Sequence, residues 1–268
     1  MVVNTCNVDR LTRVLTKESP MQNNNVVLIT GGTGDIGTAI AKELDAKFKH
    51  VIALDLVSAE KGKIWEQELL DEGYKNILFR HMDVTDFDAC EKVIGTIIKE
   101  FGNVDALINN AGITRDAVFT KMTKQQWDEV LRVNLDGMFN VTRQVVECMK
   151  TQESGRIVNV SSVNAQKGQF SQANYAASKA GVYGFTKSLA QELMSKNVTV
   201  NSLSPGYVNT RLMQGIRPDI LDGIIASIPA KRLAEPKEIA WAIDFLINDK
   251  SRYITGANLS VNGGLHMY

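Results

Sequence analysis

From residue 26 to residue 261 the chain alternates between two hydrophobic periods, and this alternation constrains the fold more than any other feature. Short, almost unbroken apolar runs predict strands at 26–30, 51–55, 77–82, 104–108, 157–160, 198–203 and 257–261. Such runs suit strands buried on both faces, where neither side meets water. Between them, apolar residues recur every three or four positions. Ile36, Ile40, Leu44 and Phe48 form one helical stripe, Val93, Ile94, Ile97, Ile98 and Phe101 another, and residues 60–72 read as a helix. Thr123 and Gln126 have the spacing of a capping box that opens a long helix. Strict alternation requires right-handed crossovers between parallel strands. The predicted fold is therefore α/β: one doubly wound sheet of about seven parallel strands with helices on both faces.

No linker, repeat or low-complexity segment interrupts residues 25–268, which read as one domain. Residues 1–24 lack this periodicity and read as a poorly ordered extension, with Met21 opening the segment that leads into the first strand. Thirty basic residues balance thirty acidic ones, so charge gives no reason to expect nucleic acid or an anionic membrane as partner. No apolar stretch approaches the roughly 18 residues of a spanning helix. Cys6, Cys90 and Cys148 are odd in number and form no C-x-x-C pair, and His50, His81 and His266 lack ligand spacing. A reducing, cytoplasmic setting without a metal is expected.

In doubly wound sheets, ligands bind beyond the carboxyl ends of the strands, where the strand order reverses. There the first strand runs into Thr30-Gly31-Gly32-Thr33-Gly34-Asp35-Ile36-Gly37. Glycines permit a tight turn and close approach to a pyrophosphate, whose charge meets the amides that open the next helix. Asp55 ends the second strand. Its carboxylate can accept from both ribose hydroxyls and would repel a 2′-phosphate. Leu56 follows, and the turn carries no arginine or lysine. A Rossmann-type site favouring NAD(H) is predicted, with NADP(H) as the alternative.

Chemistry is supplied by Ser162, Tyr175 and Lys179, spaced S-x12-Y-x3-K. Tyr175 and Lys179, four apart on a predicted helix, share a face. A lysine so placed would draw the phenol below its usual pKa of about 10, letting Tyr175 exchange a proton with a substrate oxygen. Ser162 would hydrogen-bond the same oxygen as charge develops. Tyr183 and Lys187 repeat Y-x3-K, but Phe170 stands where a serine would be needed, so this second pair reads as structural.

With Asn109-Asn110-Ala111-Gly112, Asn134 and Pro205-Gly206 added to these motifs, residues 25–268 resemble the short-chain dehydrogenase/reductase family. The resemblance implies that Asp83 contacts adenine, Asn109 shapes the cofactor side of the sheet, and Ala111, Gly112, Pro205 and Gly206 belong to the cofactor site. It implies that Val208 and Thr210 meet the nicotinamide and that Asn134 holds a water linking Lys179 to solvent. The family's turn, T-G-x-x-x-G-x-G, has a glycine where this chain has Asp35. Gly34 is expected to supply the backbone freedom instead, with Asp35 capping the helix from Ile36.

Within the family, the run SVNAQKGQFSQANY at 162–175 and the closing VNGGLHMY resemble acetoacetyl-CoA reductases, which make (R)-3-hydroxybutyryl-CoA for polyhydroxybutyrate. That branch implies that Gln169, Phe170, Gln172 and Tyr207 line an acyl and thioester pocket. The alternative branch is 3-oxoacyl-(acyl-carrier-protein) reductase, which shares N-A-G-I-T-R-D within 109–116. Carrier-protein docking needs basic surface. Lys196 is retained, but Glu153 stands where those relatives often carry a base. A non-catalytic nucleotide sensor would have no use for the acid/base lysine. The family also implies a homotetramer, formed through helices near 123–150 and 172–196 and the C-terminal segment.

Overall fold

The computed structural model describes residues 25–267; the extension expected over 1–24 lies outside the described residues. Seven strands form: β1 (Val26–Thr30), β2 (His50–Asp55), β3 (Ile77–His81), β4 (Ala106–Asn109), β5 (Gly155–Val160), β6 (Val198–Pro205) and β7 (Asn258–Val261). They make one sheet in the order β3-β2-β1-β4-β5-β6-β7, with every pairing parallel. These are the strands the apolar runs predict, with ends moved by a residue or two.

The crossovers carry α1 (Asp35–Leu44), α2 (Ala59–Asp71), α3 (Phe87–Phe101), α4 (Lys124–Leu131) and α5 (Gly137–Gln152). They continue with α6 (Val163–Lys167), α7 (Ala173–Leu193), α8 (Arg211–Gln214), α9 (Pro218–Ser227) and α10 (Pro236–Ile247). The pleat of β1 shows why its run is apolar throughout. Val27 and Ile29 pack with Ile40, Leu44, Ile239 and Ile243 under α1 and α10. Val26 and Leu28 point the other way, toward Ile94, Ile97, Val141 and Val145 under α3 and α5. Each fully buried side chain of this kind contributes about 1.5–3 kcal/mol.

Local signals set the helix ends. Asp86 caps α3 by accepting from the Ala89 amide, and Gly102, at φ 87°, ends it in the left-handed conformation. The capping box of Thr123 and Gln126 forms as predicted. The long helix it opens is not uniform, because a π-helical turn, Arg132–Asp136, joins α4 to α5. That turn inserts an extra residue into the helical repeat and buries Asn134, 2% exposed, between Ile113 and Ser178 of α7.

Candidate active site

Strand order reverses between β1 and β4, and a cleft of about 910 Å³ opens at their carboxyl ends. Of the predicted cofactor residues, it is lined by Gly31, Thr33, Gly34, Asp35, Ile36, Gly37, Asp55, Asp83, Ala111, Gly112 and Thr210. The turn is built against β4. Thr30 Oγ1 accepts from the amides of Asn110 and Ala111, both at 3.0 Å, and Asn110 Nδ2 donates to the carbonyls of Thr30 and Gly31 at 3.1 Å. Gly31 takes φ +61°, and a Cβ there would lie 3.0 Å from Ala111 Cα. A Cβ on Gly37 would lie 2.2 Å from the Gly31 carbonyl oxygen, so any side chain would push α1 off the turn.

Two expectations about this turn need correction. Gly34 has φ −70°, so the left-handed residue is Gly31. Asp35 does not cap α1; it is the first residue of the helix, and Gly34 holds the cap position without a side-chain bond. Its carboxylate instead takes Arg211, from beyond β6: Oδ2 accepts from the Arg211 amide and Oδ1 from Nε, both at 2.7 Å.

Asp55 Oδ2 accepts from the amide and hydroxyl of Thr33 (3.0 and 2.8 Å), and Oδ1 from the Leu56 amide at 2.7 Å. Leu56 and Val57 line the cleft beside it. Asp83 Oδ1 is held by the amide and hydroxyl of Thr85, each at 2.8 Å. A glycine turn close to the backbone of β4, a helix N-terminus and a carboxylate at the end of β2 suit a dinucleotide's pyrophosphate and ribose. The cleft volume falls within the roughly 300–1,000 Å³ of ligand pockets.

Ser162 follows β5 and caps α6, its Oγ accepting from the Asn164 amide at 3.1 Å. Its hydroxyl also hydrogen-bonds the Tyr175 phenol, at the start of α7. One turn on, Lys179 is buried; its Nζ donates to the Val160 carbonyl at 2.8 Å and lies 6.0 Å from the Tyr175 ring centroid. Asn134 completes the group: Oδ1 accepts from the Ile113 amide, and Nδ2 donates to the Ile113 carbonyl and Ser178 Oγ. A Cβ on Gly112 would lie 3.3 Å from Lys179 Nζ and 3.4 Å from Asn134 Oδ1, so these residues converge at the cleft's inner edge.

The Tyr175 phenol stands above its ordinary value in this structure, not below it as the spacing predicts. Burial pushes Tyr175 up, the Ser162 hydrogen bond pulls it partly back, and the neighbouring acidic groups Asp116 and Tyr183 raise it further. Burial brings Lys179 itself down to about 8. The amine donates to the Val160 carbonyl rather than to the Tyr175 hydroxyl.

Other predicted residues lie elsewhere. Asn109 is buried within the sheet layer, donating to Thr142 Oγ1 and Asn159 Oδ1. Pro205 ends β6, Gly206 packs on Asn262, and Val208 is buried in a bridge with Ala234. None of these four lines the cleft. Gln172 is tied toward Ser162, accepting from Asn164 Nδ2 and donating to Asp116 Oδ2, each at 2.9 Å. Gln169 accepts from Lys167, and Phe170 is 80% exposed rather than walled into a pocket. Gly168 and Ser171, both at positive φ, flank that ring on a projecting loop. Tyr207 lines a separate cavity of about 300 Å³. Polar residues on the cleft to which the sequence assigned no role include Thr85, Asn110, Arg115, Glu129, Arg132 and Arg211. For Asn110 a signal existed: it is the neighbour of Asn109, and side chains alternate sides along a strand.

This fold and site define a dinucleotide-dependent oxidoreductase: residues 25–221 match the short chain dehydrogenase family, and the chain belongs to it. Among its relatives, an acetoacetyl-CoA reductase of Cupriavidus necator is 47% identical over 90% of this chain and 98% of its own length. An acetoacetyl-CoA reductase of Allochromatium vinosum is 48% identical over 91% and 99%. A 3-oxoacyl-[acyl-carrier-protein] reductase of Escherichia coli is 40% identical over 90% and 97%. Among the described residues, no helix is long and apolar enough to cross a membrane.

Proposed function

We propose that this enzyme reduces acetoacetyl-CoA to 3-hydroxybutyryl-CoA, with NADH as reductant. The observation that carries the chemistry is the convergence of Ser162, Tyr175, Lys179 and Asn134 at the inner edge of the cleft. When bound, the nicotinamide supplies the hydride for C3. Ser162 and Tyr175 hold the ketone oxygen. With its pKa raised, Tyr175 is protonated at neutral pH, the form needed to donate as that oxygen gains charge. Lys179, at about 8, is largely cationic at pH 7 and supports the phenolate left behind. Asn134 holds a water through which Lys179 recovers a proton from solvent. Gln172, fixed between Asn164 and Asp116, has a second amide hydrogen for the thioester carbonyl.

Coenzyme A is favoured over a carrier protein by an ion pair. Lys196, the base retained at the docking surface, lies 3.2 Å from Glu153, which offsets its charge. NADH is favoured by Asp55, whose carboxylate would repel a 2′-phosphate, with apolar Leu56 and Val57 beside it. By family resemblance the enzyme works in the cytoplasm as a homotetramer, which sedimentation checks.

Initial rates with acetoacetyl-CoA and acetoacetyl-carrier protein, each with NADH and NADPH, test the reading. The CoA substrate with NADH should give the highest kcat/KM. A tenfold preference for the carrier-bound substrate would move the enzyme to fatty-acid synthesis, and a preference for NADPH would refute the role given to Asp55.

A further inference from the structure

The acid in the glycine turn is the feature of this cleft that the chemistry above leaves unexplained. Asp35 is the first residue of α1, where the helix amides attract an anion, and it lines the cleft. A carboxylate there opposes the pyrophosphate the turn is shaped to receive. Its two oxygens are both taken by Arg211, 176 residues away, through a backbone amide and Nε. Because the amide belongs to the first residue of α8, the arginine is anchored by main chain as well as by charge. The Arg211 side chain is 76% exposed and that of Asp35 26% exposed. With the arginine largely in solvent, the pair adds little to folding stability.

We propose that Arg211 is a positioning residue for the cofactor: it offsets the charge of Asp35, so that a glycine turn containing an acid accepts a doubly negative pyrophosphate. The inference rests on reading the cleft as a dinucleotide site. Losing Arg211 leaves a bare carboxylate beside the phosphates, and losing both charges restores a neutral turn. Removing Asp35 alone leaves Arg211 to attract the phosphates without its anchor, two changes that oppose each other.

The test is equilibrium binding to the full chain, using NADH, ADP-ribose (which keeps the pyrophosphate) and adenosine (which lacks it). Wild type, Arg211→Ala, Asp35→Asn and the double variant are compared, with thermal melts to verify that each folds. Arg211→Ala should weaken NADH and ADP-ribose on the order of tenfold. That deficit should shrink as salt is raised, because screening shortens the reach of the exposed carboxylate. The double variant should return to within about threefold of wild type, a recovery that loss of a merely structural contact would not produce. Adenosine should bind all four alike. Unchanged binding in Arg211→Ala, or a double variant as weak as Arg211→Ala, overturns the proposal. Failure of wild type to bind either NADH or ADP-ribose would overturn the dinucleotide reading itself.

Discussion

Helix α7 carries the same motif twice, and the two copies have different surroundings. Tyr175 is hydrogen-bonded by Ser162, and its lysine, Lys179, is buried against the Val160 carbonyl. Eight residues on, the Tyr183 hydroxyl donates to the Ser162 carbonyl at 3.2 Å and lies 2.9 Å from Ser204 Oγ, while Lys187 is exposed. In each copy the tyrosine and lysine share a helix face, as their spacing requires. A row taken every fourth residue turns about 40° per step, so Lys187 stands about 80° around from Lys179 and rotates out to solvent. Spacing therefore creates a pair, and the strand end it meets decides whether the pair is chemical or structural. Tyr175 meets a serine hydroxyl at the end of β5. Tyr183 meets the same serine's carbonyl and ties the ends of β5 and β6 together.

The sharpest way to break this comparison is to remove one hydroxyl at a time. Tyr175→Phe should lower kcat at least about 10²-fold, the low end for loss of a general acid, while leaving NADH affinity and Tm in place. Steady-state kinetics beside a binding titration checks both halves.

The buried lysine gives the next largest effect. Its folded pKa, about 8, lies below the ordinary 10.5, so between those values the unfolded chain binds more protons and stability rises with pH. The cost of burying the charge is full below pH 8 and is relieved as pH climbs toward 10.5. Lys179→Met should therefore gain on wild type by up to about 3 kcal/mol at pH 7, less about 1 kcal/mol for the lost hydrogen bond to Val160. That advantage should vanish near pH 10.5. Urea melts across this range measure the difference; a gap independent of pH would show that Lys179 is not held in a pKa-lowering site.

These expectations also mark what the sequence made legible. The inner strands were readable because their residues are buried on both faces, as Val26 to Ile29 are, while the edge strands β3 and β7, only partly buried, were readable from their short apolar runs. Ser162, Tyr175 and Lys179 were readable because their spacing is local to one strand end and one helix. The π-turn was not, since one extra residue in a helix leaves the surrounding apolar stripe almost unchanged. Nor was the partner of Asp35, because a contact across 176 residues leaves no local pattern. The exposed ring of Phe170 has a similar cause: whether a loop side chain faces a pocket depends on backbone reversals at Gly168 and Ser171, only one of which is a glycine.

Smaller effects sharpen the comparison further. Gln172→Ala should cost a few-fold to roughly tenfold in kcat/KM for acetoacetyl-CoA, the equivalent of one neutral hydrogen bond. An unchanged value would mean that Gln172, held between Asn164 and Asp116, does not reach the thioester. Tyr183→Phe should alter turnover less than about threefold while lowering stability by about 0.5–1.5 kcal/mol, because its hydroxyl joins strand ends. A chemical denaturation curve and one rate measurement suffice to check it.

Single-turnover hydride transfer tests the central claim most directly. Wild type, Tyr175→Phe and Tyr183→Phe, each saturated with NADH, are mixed with acetoacetyl-CoA, and NADH absorbance is followed in a stopped-flow instrument. Wild type and Tyr183→Phe should oxidise their NADH at rates within about threefold of each other, while Tyr175→Phe, with NADH still bound, should lag by at least about 10²-fold. Equal rates for the two tyrosine variants would contradict the account.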